Sequence, residues 1–306
     1  MSGAGGRAAP GAASSAPGGA AGASVLHRVD VGDGLALAVH ERGAGPPVVV
    51  LHGFTGAAGS MRGVCDALAA THRVLAVDLV GHGASDAPRG VARYAMDDCV
   101  AQLARACGAL GVERAAWVGY SMGGRTALQV AVARPALVGK LVLVGATAGI
   151  ADPAARAERV ASDEALAARI EERGVEAFVD EWMALPLFAS QARLGRAALA
   201  QARRERLCNV AHGLANSLRG MGAGAQRPVH DALVRIACPV CLVVGEEDAK
   251  FRAIAEALLA RLGSASRSRI EVVPEAGHAA HLENPSHFAA VVGRFLAASP
   301  DAGEGA

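Results

Sequence analysis

Short apolar runs recur along the chain at residues 35–40, 48–52, 74–78, 115–119, 141–145, 240–245 and 270–273. Each is almost unbroken in aliphatic side chains, the pattern of a strand buried on both faces. Between them, residues 61–70, 95–110, 122–133, 251–262 and 285–298 return an apolar side chain every three to four positions. That is the period of a helix with one buried side. The alternation predicts an α/β fold, a mostly parallel central sheet with helices on both faces.

The alternation stops between about residues 150 and 231, where 153–172, 175–185 and 191–207 read as successive helices with no strand between them. The predicted organisation is a core made of residues 25–150 and 232–300, interrupted by a helical cap at 151–231. Ligands of open α/β sheets bind beyond the carboxyl ends of the strands, so an insertion leaving the sheet near residue 145 would cover that edge and shape a pocket. Residues 1–24 are almost wholly Ala, Gly, Ser and Pro and are predicted to be a disordered tail. They lack the basic start and aliphatic segment of a signal peptide, and carry a lone arginine, Arg7, where a transit peptide would want several. The expected compartment is the cytoplasm.

Composition narrows the partners. With 306 residues of which 52% are apolar, the chain can build one large core. A net charge of +1 gives no reason to expect nucleic acid or an anionic membrane surface, and no apolar run is long enough to cross a bilayer. A small molecule is the expected partner; oligomeric state leaves no signal. The six cysteines fall mostly in apolar periodic segments, as small hydrophobes do. Cys238 and Cys241 have redox or zinc spacing, but they lead into a strand and no second pair accompanies them, so neither a metal nor a redox cofactor is expected.

Chemistry enters at Gly119-Tyr120-Ser121-Met122-Gly123, which sits between an apolar strand and a helical segment. A serine at such a strand-to-helix corner has a strained backbone and an exposed hydroxyl, and glycines flank it because a Cβ would collide with neighbouring backbone. Ser121 is thus a candidate nucleophile or base. A hydroxyl needs a neighbouring imidazole to take its proton, and the imidazole needs a carboxylate to fix its tautomer. His278 follows the strand at 270–273 through a Gly277 turn, with His281 as its rival; Asp248 closes the strand before it. The chain order Ser121, Asp248, His278 is the one expected of this fold. The Phe54 amide, in the loop after residues 48–52, and the Met122 amide are candidate donors to a developing oxyanion. His52 is expected to brace that loop, and Asp78 and His82 to form a structural turn.

Taken together these segments resemble the α/β-hydrolase superfamily over residues 25–300. Five strings narrow the resemblance: Gly119 to Arg125; Trp182 with 186–190; 217–222 with Gly224 and Gln226; 245–251; and 277–285. In order, and with two of them in the cap, they resemble the 2-succinyl-6-hydroxy-2,4-cyclohexadiene-1-carboxylate synthases, lyases of menaquinone biosynthesis. The resemblance implies elimination of pyruvate from 2-succinyl-5-enolpyruvyl-6-hydroxy-3-cyclohexene-1-carboxylate without a cofactor, with Ser121, activated by His278 and Asp248, as base. Where that family continues Thr-Gly-x-Gln-Pro-Ser-Leu-Trp after residue 222, this chain has Ala223 to His230 with Arg227-Pro228-Val229 inside.

A polycarboxylate substrate calls for arginine forks, which bind carboxylates bidentately. Arg125 follows Ser121 by one helical turn, on the expected pocket side. Residues 190–230 hold Arg193, Arg196, Arg203, Arg204, Arg206, Arg219 and Arg227 against the single acid Glu205. Most are expected to be solvated. The resemblance points to Arg159 and Arg206 as substrate contacts, with Tyr120 and Trp182 lining the site. A serine hydrolase, either a carboxylesterase or a carbon-carbon bond hydrolase, would use the same triad and stands as the alternative, and a non-catalytic binding module as a third reading.

Overall fold

The structure, a computed structural model, describes residues 24–298; the predicted tail at 1–24 lies outside them except for Ser24. Eight strands form one sheet: β1 (Val25–Asp30), β2 (Ala36–Arg42), β3 (Pro47–Leu51), β4 (Arg73–Val77), β5 (Ala115–Tyr120), β6 (Val138–Val144), β7 (Val240–Gly245) and β8 (Arg269–Val273). Their spatial order is β1-β2-β4-β3-β5-β6-β7-β8. The pairings β1 with β2 and β2 with β4 are antiparallel, and every later pairing is parallel. Strand β1 has no counterpart among the predicted runs. It is an edge strand with exposed Val25 and Leu26 and a polar remainder, so it lacks the continuous apolar signature of its neighbours.

Alternate side chains of the central strands feed two separate cores. Val49, Leu51, Trp117, Leu141, Leu143, Val240 and Leu242 enter one face together with helices α2 (Met96–Ala109) and α3 (Met122–Ala133). Val48, Val50, Val118, Val142, Cys241 and Val243 enter the other with α1 (Arg62–Ala69) and α9 (Pro285–Ala297). This two-sided burial is why the strands read as unbroken apolar runs. Trp117 is fully buried, and its indole N–H is satisfied by the Leu137 carbonyl at 3.1 Å.

Between β6 and β7 run α4 (Pro153–Met183), α5 (Gly195–Leu207) and α6 (Ala211–Met221). Helix α4 is kinked at Gly174, whose φ of 78° is left-handed. Helices α4 and α6 share a small core of Ile170, Phe178, Val179, Leu214 and Leu218, against which Leu207 of α5 and Phe54 also pack. Helix α6 escaped the sequence reading because Gly213, Asn216 and Gly220 are poor helix formers. Their place is set by tertiary packing: a Cβ at Gly213 would lie 2.5 Å from the Gly81 carbonyl oxygen, and one at Gly220 2.5 Å from the Tyr94 backbone. The remaining helices are α7 (Ala249–Leu259) and the short α8 (Ala280–Glu283).

The first turn of α3 lies unusually close to the sheet. A Cβ on Gly119 would fall 2.3 Å from the Gly123 carbonyl oxygen, and one on Gly123 2.4 Å from that of Leu51. Both obstacles are backbone, so neither can swing aside. Gly123→Ala is expected to lower unfolding stability by about 2 kcal/mol or more, as overpacking of a rigid contact does; a urea midpoint unchanged from wild type would contradict this.

Candidate active site

Four strand ends converge on one edge of the sheet. Ser121 leaves β5 with φ 51° and ψ −108°, a left-handed conformation that a non-glycine residue adopts only under constraint. The constraint is visible: its N–H donates to the Val144 carbonyl at 2.8 Å, while its own carbonyl accepts from the Arg125 N–H at 3.0 Å. His278, from the turn after β8, brings Nε2 to 3.2 Å from Ser121 Oγ. Its Nδ1 lies 2.9 Å from Asp248 Oδ2. Asp248 caps α7, accepting the Phe251 N–H through Oδ1 at 3.2 Å, and the helix N-terminus favours its negative charge. The imidazole is seated against the Phe251 ring, with centroids 4.4 Å apart. On its other side is Gly145, where a Cβ would come within 2.8 Å of the ring. The hydroxyl, imidazole and carboxylate chosen from the sequence therefore form one hydrogen-bonded chain, with Nδ1–H donating to the carboxylate and Nε2 left to accept the serine proton.

Phe54 and Met122 both line a cavity of about 610 Å³ above Ser121. Among the described residues neither amide finds a backbone acceptor, which leaves both N–H groups available to an anion. The Phe54 ring packs edge-on to Trp182 at 5.3 Å and near Phe178 at 6.1 Å, joining this loop to α4. Below it, His52 and Asp78 do structural work as expected. His52 Nδ1 donates to the Gly53 carbonyl at 2.8 Å and Nε2 accepts the Leu79 N–H at 3.0 Å. Asp78 accepts from the Ala58 and Ala84 amides at 2.6 and 2.8 Å. Burial raises the Asp78 pKa, but His40, His52 and these amides outweigh it and hold the carboxyl below its usual range.

The same cavity is lined by Tyr120, Arg125, Arg159 and Trp182, and by Lys250, Arg261 and His230, which the sequence reading did not select; among the described residues no Asp or Glu lines it. Arg125 donates to the Met221 carbonyl at 2.9 Å and to Gln226 Oε1 at 2.5 Å, both neutral acceptors. Burial, aided by the Arg159 charge and opposed by Asp163, pushes its pKa down to about 10, which still leaves it a cation at neutral pH. Arg159 leans on Asp163 Oδ1 at 2.8 Å. Trp182 Nε1 is buried with no partner among the described residues. Arg206 is not brought to the cavity wall. It is half-buried, with Nη1 donating to the Ala202 carbonyl at 2.9 Å, and burial lowers its pKa against the opposing influence of Tyr120 and Glu205. A signal for one of the missed cations existed: Lys250, Ile254, Ala257 and Leu258 repeat at helical spacing and so share one face of α7, while Arg261 follows in the turn after that helix.

The conserved-fold model described as alpha/beta hydrolase fold matches residues 46–285. The chain belongs to the α/β-hydrolase family. It is 41% identical over 270 residues to a Bacillus subtilis (strain 168) protein whose name assigns it to 2-succinyl-6-hydroxy-2,4-cyclohexadiene-1-carboxylate synthase, covering 88% of this chain and 97% of that one. It is 34% identical to the Serratia proteamaculans (strain 568) enzyme of the same name, over 72% of this chain and 82% of that one. The solved structure of MenH from S. aureus matches with a TM-score of 0.79 at 29% identity, over 85% of this chain and 97% of that one.

Within this α/β hydrolase, Cys238 and Cys241 are free thiols held protonated, burial pushing them up to about 11 and about 12. No helix among the described residues is long and apolar enough to cross a membrane. The buried imidazoles give the site a pH limit. Burial pushes His82 and His281 down to about 3, and lowers His52 as well. In the unfolded chain each titrates near 6.5, so below that pH the unfolded state binds protons the folded state refuses. Stability is therefore expected to fall as pH drops from about 6.5 to about 5, by up to about 1.4 kcal/mol per pH unit for each histidine. Urea unfolding across that range measures it; a flat profile would contradict it.

Proposed function

We propose that this protein is a carbon-oxygen lyase that eliminates pyruvate from 2-succinyl-5-enolpyruvyl-6-hydroxy-3-cyclohexene-1-carboxylate, giving 2-succinyl-6-hydroxy-2,4-cyclohexadiene-1-carboxylate in menaquinone biosynthesis. The relatives' names support the reaction. The observation within the molecule that carries it is Arg125: a half-buried guanidinium one helical turn from Ser121, with neutral acceptors and no carboxylate partner among the described residues. Burying a charge without a counter-ion is costly unless a ligand supplies one. An enzyme for neutral esters has no use for such a group, whereas a substrate with several carboxylates completes it. Arg159, Lys250 and Arg261 extend the same positive lining.

In this reading Ser121, Asp248 and His278 are the catalytic residues. His278 Nε2 draws the proton from Ser121 Oγ, and Asp248 steadies the imidazolium that forms. The serine oxygen takes the ring proton, electrons move into the ring to make the new double bond, and the carbon-oxygen bond to the enolpyruvyl group breaks. The group departs as an enolate, which becomes pyruvate on taking a proton at carbon, and the proton held on His278 balances that step. The Phe54 and Met122 amides stabilise the oxygen on which negative charge accumulates. No covalent acyl-enzyme is required. The helices of residues 151–231 act as a cap that closes the cavity and contributes Arg159 and Trp182, with Tyr120 from the core beside them. Arg206, set back from the cavity wall, is left out of the substrate contacts. A cytoplasmic working place is part of this reading.

The deciding experiment is a coupled pyruvate assay in which the preceding synthase generates the unstable substrate in place. Pyruvate release by wild type is expected, with Ser121→Ala folded and inactive. Rapid hydrolysis of a short nitrophenyl ester with no pyruvate formed would instead make the protein a serine hydrolase. Arg125→Ala should lower kcat/KM by about tenfold or more, since a charge-assisted bond contributes about 1.5–3 kcal/mol. Lys250→Ala and Arg261→Ala should each raise KM more than they lower kcat. An Arg125→Ala enzyme with wild-type kcat/KM would remove that residue from the substrate site.

A further inference from the structure

The loop that carries the Phe54 amide contains a residue in an unfavourable conformation. Thr55 has φ 68°, in the left-handed region that a β-branched side chain strongly disfavours. It is fully buried, and its hydroxyl has no hydrogen-bond partner among the described residues. Its own side chain does not hold it there; the turn hydrogen bond from the Gly56 N–H to the Gly53 carbonyl at 3.0 Å spans it, and its neighbours must supply the rest. The Thr55 carbonyl accepts a hydrogen bond of 2.7 Å from Asn209 Nδ2. Asn209 lies in the junction between α5 and α6, 6% exposed. The same Nδ2 donates to the Arg206 carbonyl at 2.9 Å, and Oδ1 accepts the Gly83 N–H at 3.0 Å. One amide group thus ties the loop after β3, the turn after β4 and the end of α5 together.

We infer that Asn209 is a positioning residue: by holding Thr55 in its strained conformation, it keeps the preceding Phe54 amide aimed at the developing oxyanion. The inference rests on the elimination reading above and names a residue outside the triad and the cation lining. A misaimed donor weakens transition-state stabilisation while leaving substrate binding, which the arginines and lysine supply, largely intact. The loss therefore falls on kcat.

Asn209→Ala is expected to lower kcat for pyruvate release about tenfold or more, with KM within about threefold of wild type. Asn209→Asp is a second variant of the same shape that keeps the acceptor for Gly83 but has no donor for Thr55, and it should lose kcat to a similar degree. Glycine enters the left-handed region without strain, so adding Thr55→Gly to Asn209→Ala should recover kcat by about threefold or more. A purely structural role would not give that recovery. The inference is overturned if kcat of either single variant stays within about twofold of wild type, or if the loss resists Thr55→Gly. Wild type serves as the reference for the underlying reading. If it forms no pyruvate, that reading fails, and the same variants are compared on p-nitrophenyl acetate, whose tetrahedral oxyanion would use the same amide; the same pattern there still upholds Asn209.

Discussion

The close approach of α3 to the carboxyl ends of β3 and β5 is the contact on which the rest of the site depends. It requires that positions 119 and 123 carry no Cβ, because the backbone of Gly123 and of Leu51 occupies that space. Given the approach, Ser121 is forced to turn through a left-handed conformation between strand and helix, and its hydroxyl projects past the sheet edge toward His278. Met122 becomes the first residue of the helix, with an amide that has no intrahelical acceptor to find. Arg125 then falls one turn further along the same wall. A nucleophilic oxygen, an anion donor and a cation are thus fixed by one packing event rather than by three separate adjustments.

Charge in this molecule is sorted by function. Three surface arginines between β6 and β7 are neutralised locally: Arg203 by Glu176 and Asp180, Arg219 by Glu164 and Glu171, Arg193 by Glu247. Such exposed pairs contribute little to stability, but they cancel charge that would otherwise draw anions to the outer surface. Arg125, facing the cavity, has only neutral acceptors. The positive potential is consequently concentrated where a low-dielectric wall strengthens it.

Much of this was legible in the sequence because local and tertiary demands coincide. Seven of the eight strands announce themselves, the central ones because burial on both faces leaves no polar position to confuse the pattern, and β2 and β8 because an aliphatic stretch persists beside their polar residues. Ser121, Asp248 and His278 could be found because each sits at a strand end, where chain order and turn chemistry carry the information. The edge strand β1 and helix α6 were not legible, since the first is polar and exposed and the second is held by glycine contacts with distant loops. The cations divided along the same line. Counting charges within residues 190–230 suggested a surplus of arginine, yet the balancing acids come from 164, 171, 176, 180 and 247, brought in by folding. Lys250 and Arg261 were hidden for the opposite reason: α7 and the turn after it carry them to the cavity, but nothing local distinguishes those positions from solvent-exposed surface.

A hydroxyl, an imidazole and a carboxylate in this arrangement suit acyl transfer as readily as proton abstraction, so the triad alone cannot select the reaction. Selection comes from what the cavity holds beside it. Acyl transfer needs a carbonyl carbon within reach of the serine oxygen, and cations are of no use to it unless the acyl group is anionic. Elimination needs the ring proton placed at that oxygen and the leaving group's charge met as it forms, which demands a substrate clamped at several points. Arg125 on α3 near the serine, Lys250 on α7 and Arg261 in the turn after α7 offer those points around one cavity. A rigid ring carrying separate carboxylates can satisfy them together only in one orientation, and the orientation decides which hydrogen meets Ser121. The specificity of the base is, on this view, a property of the distances between cations rather than of the serine.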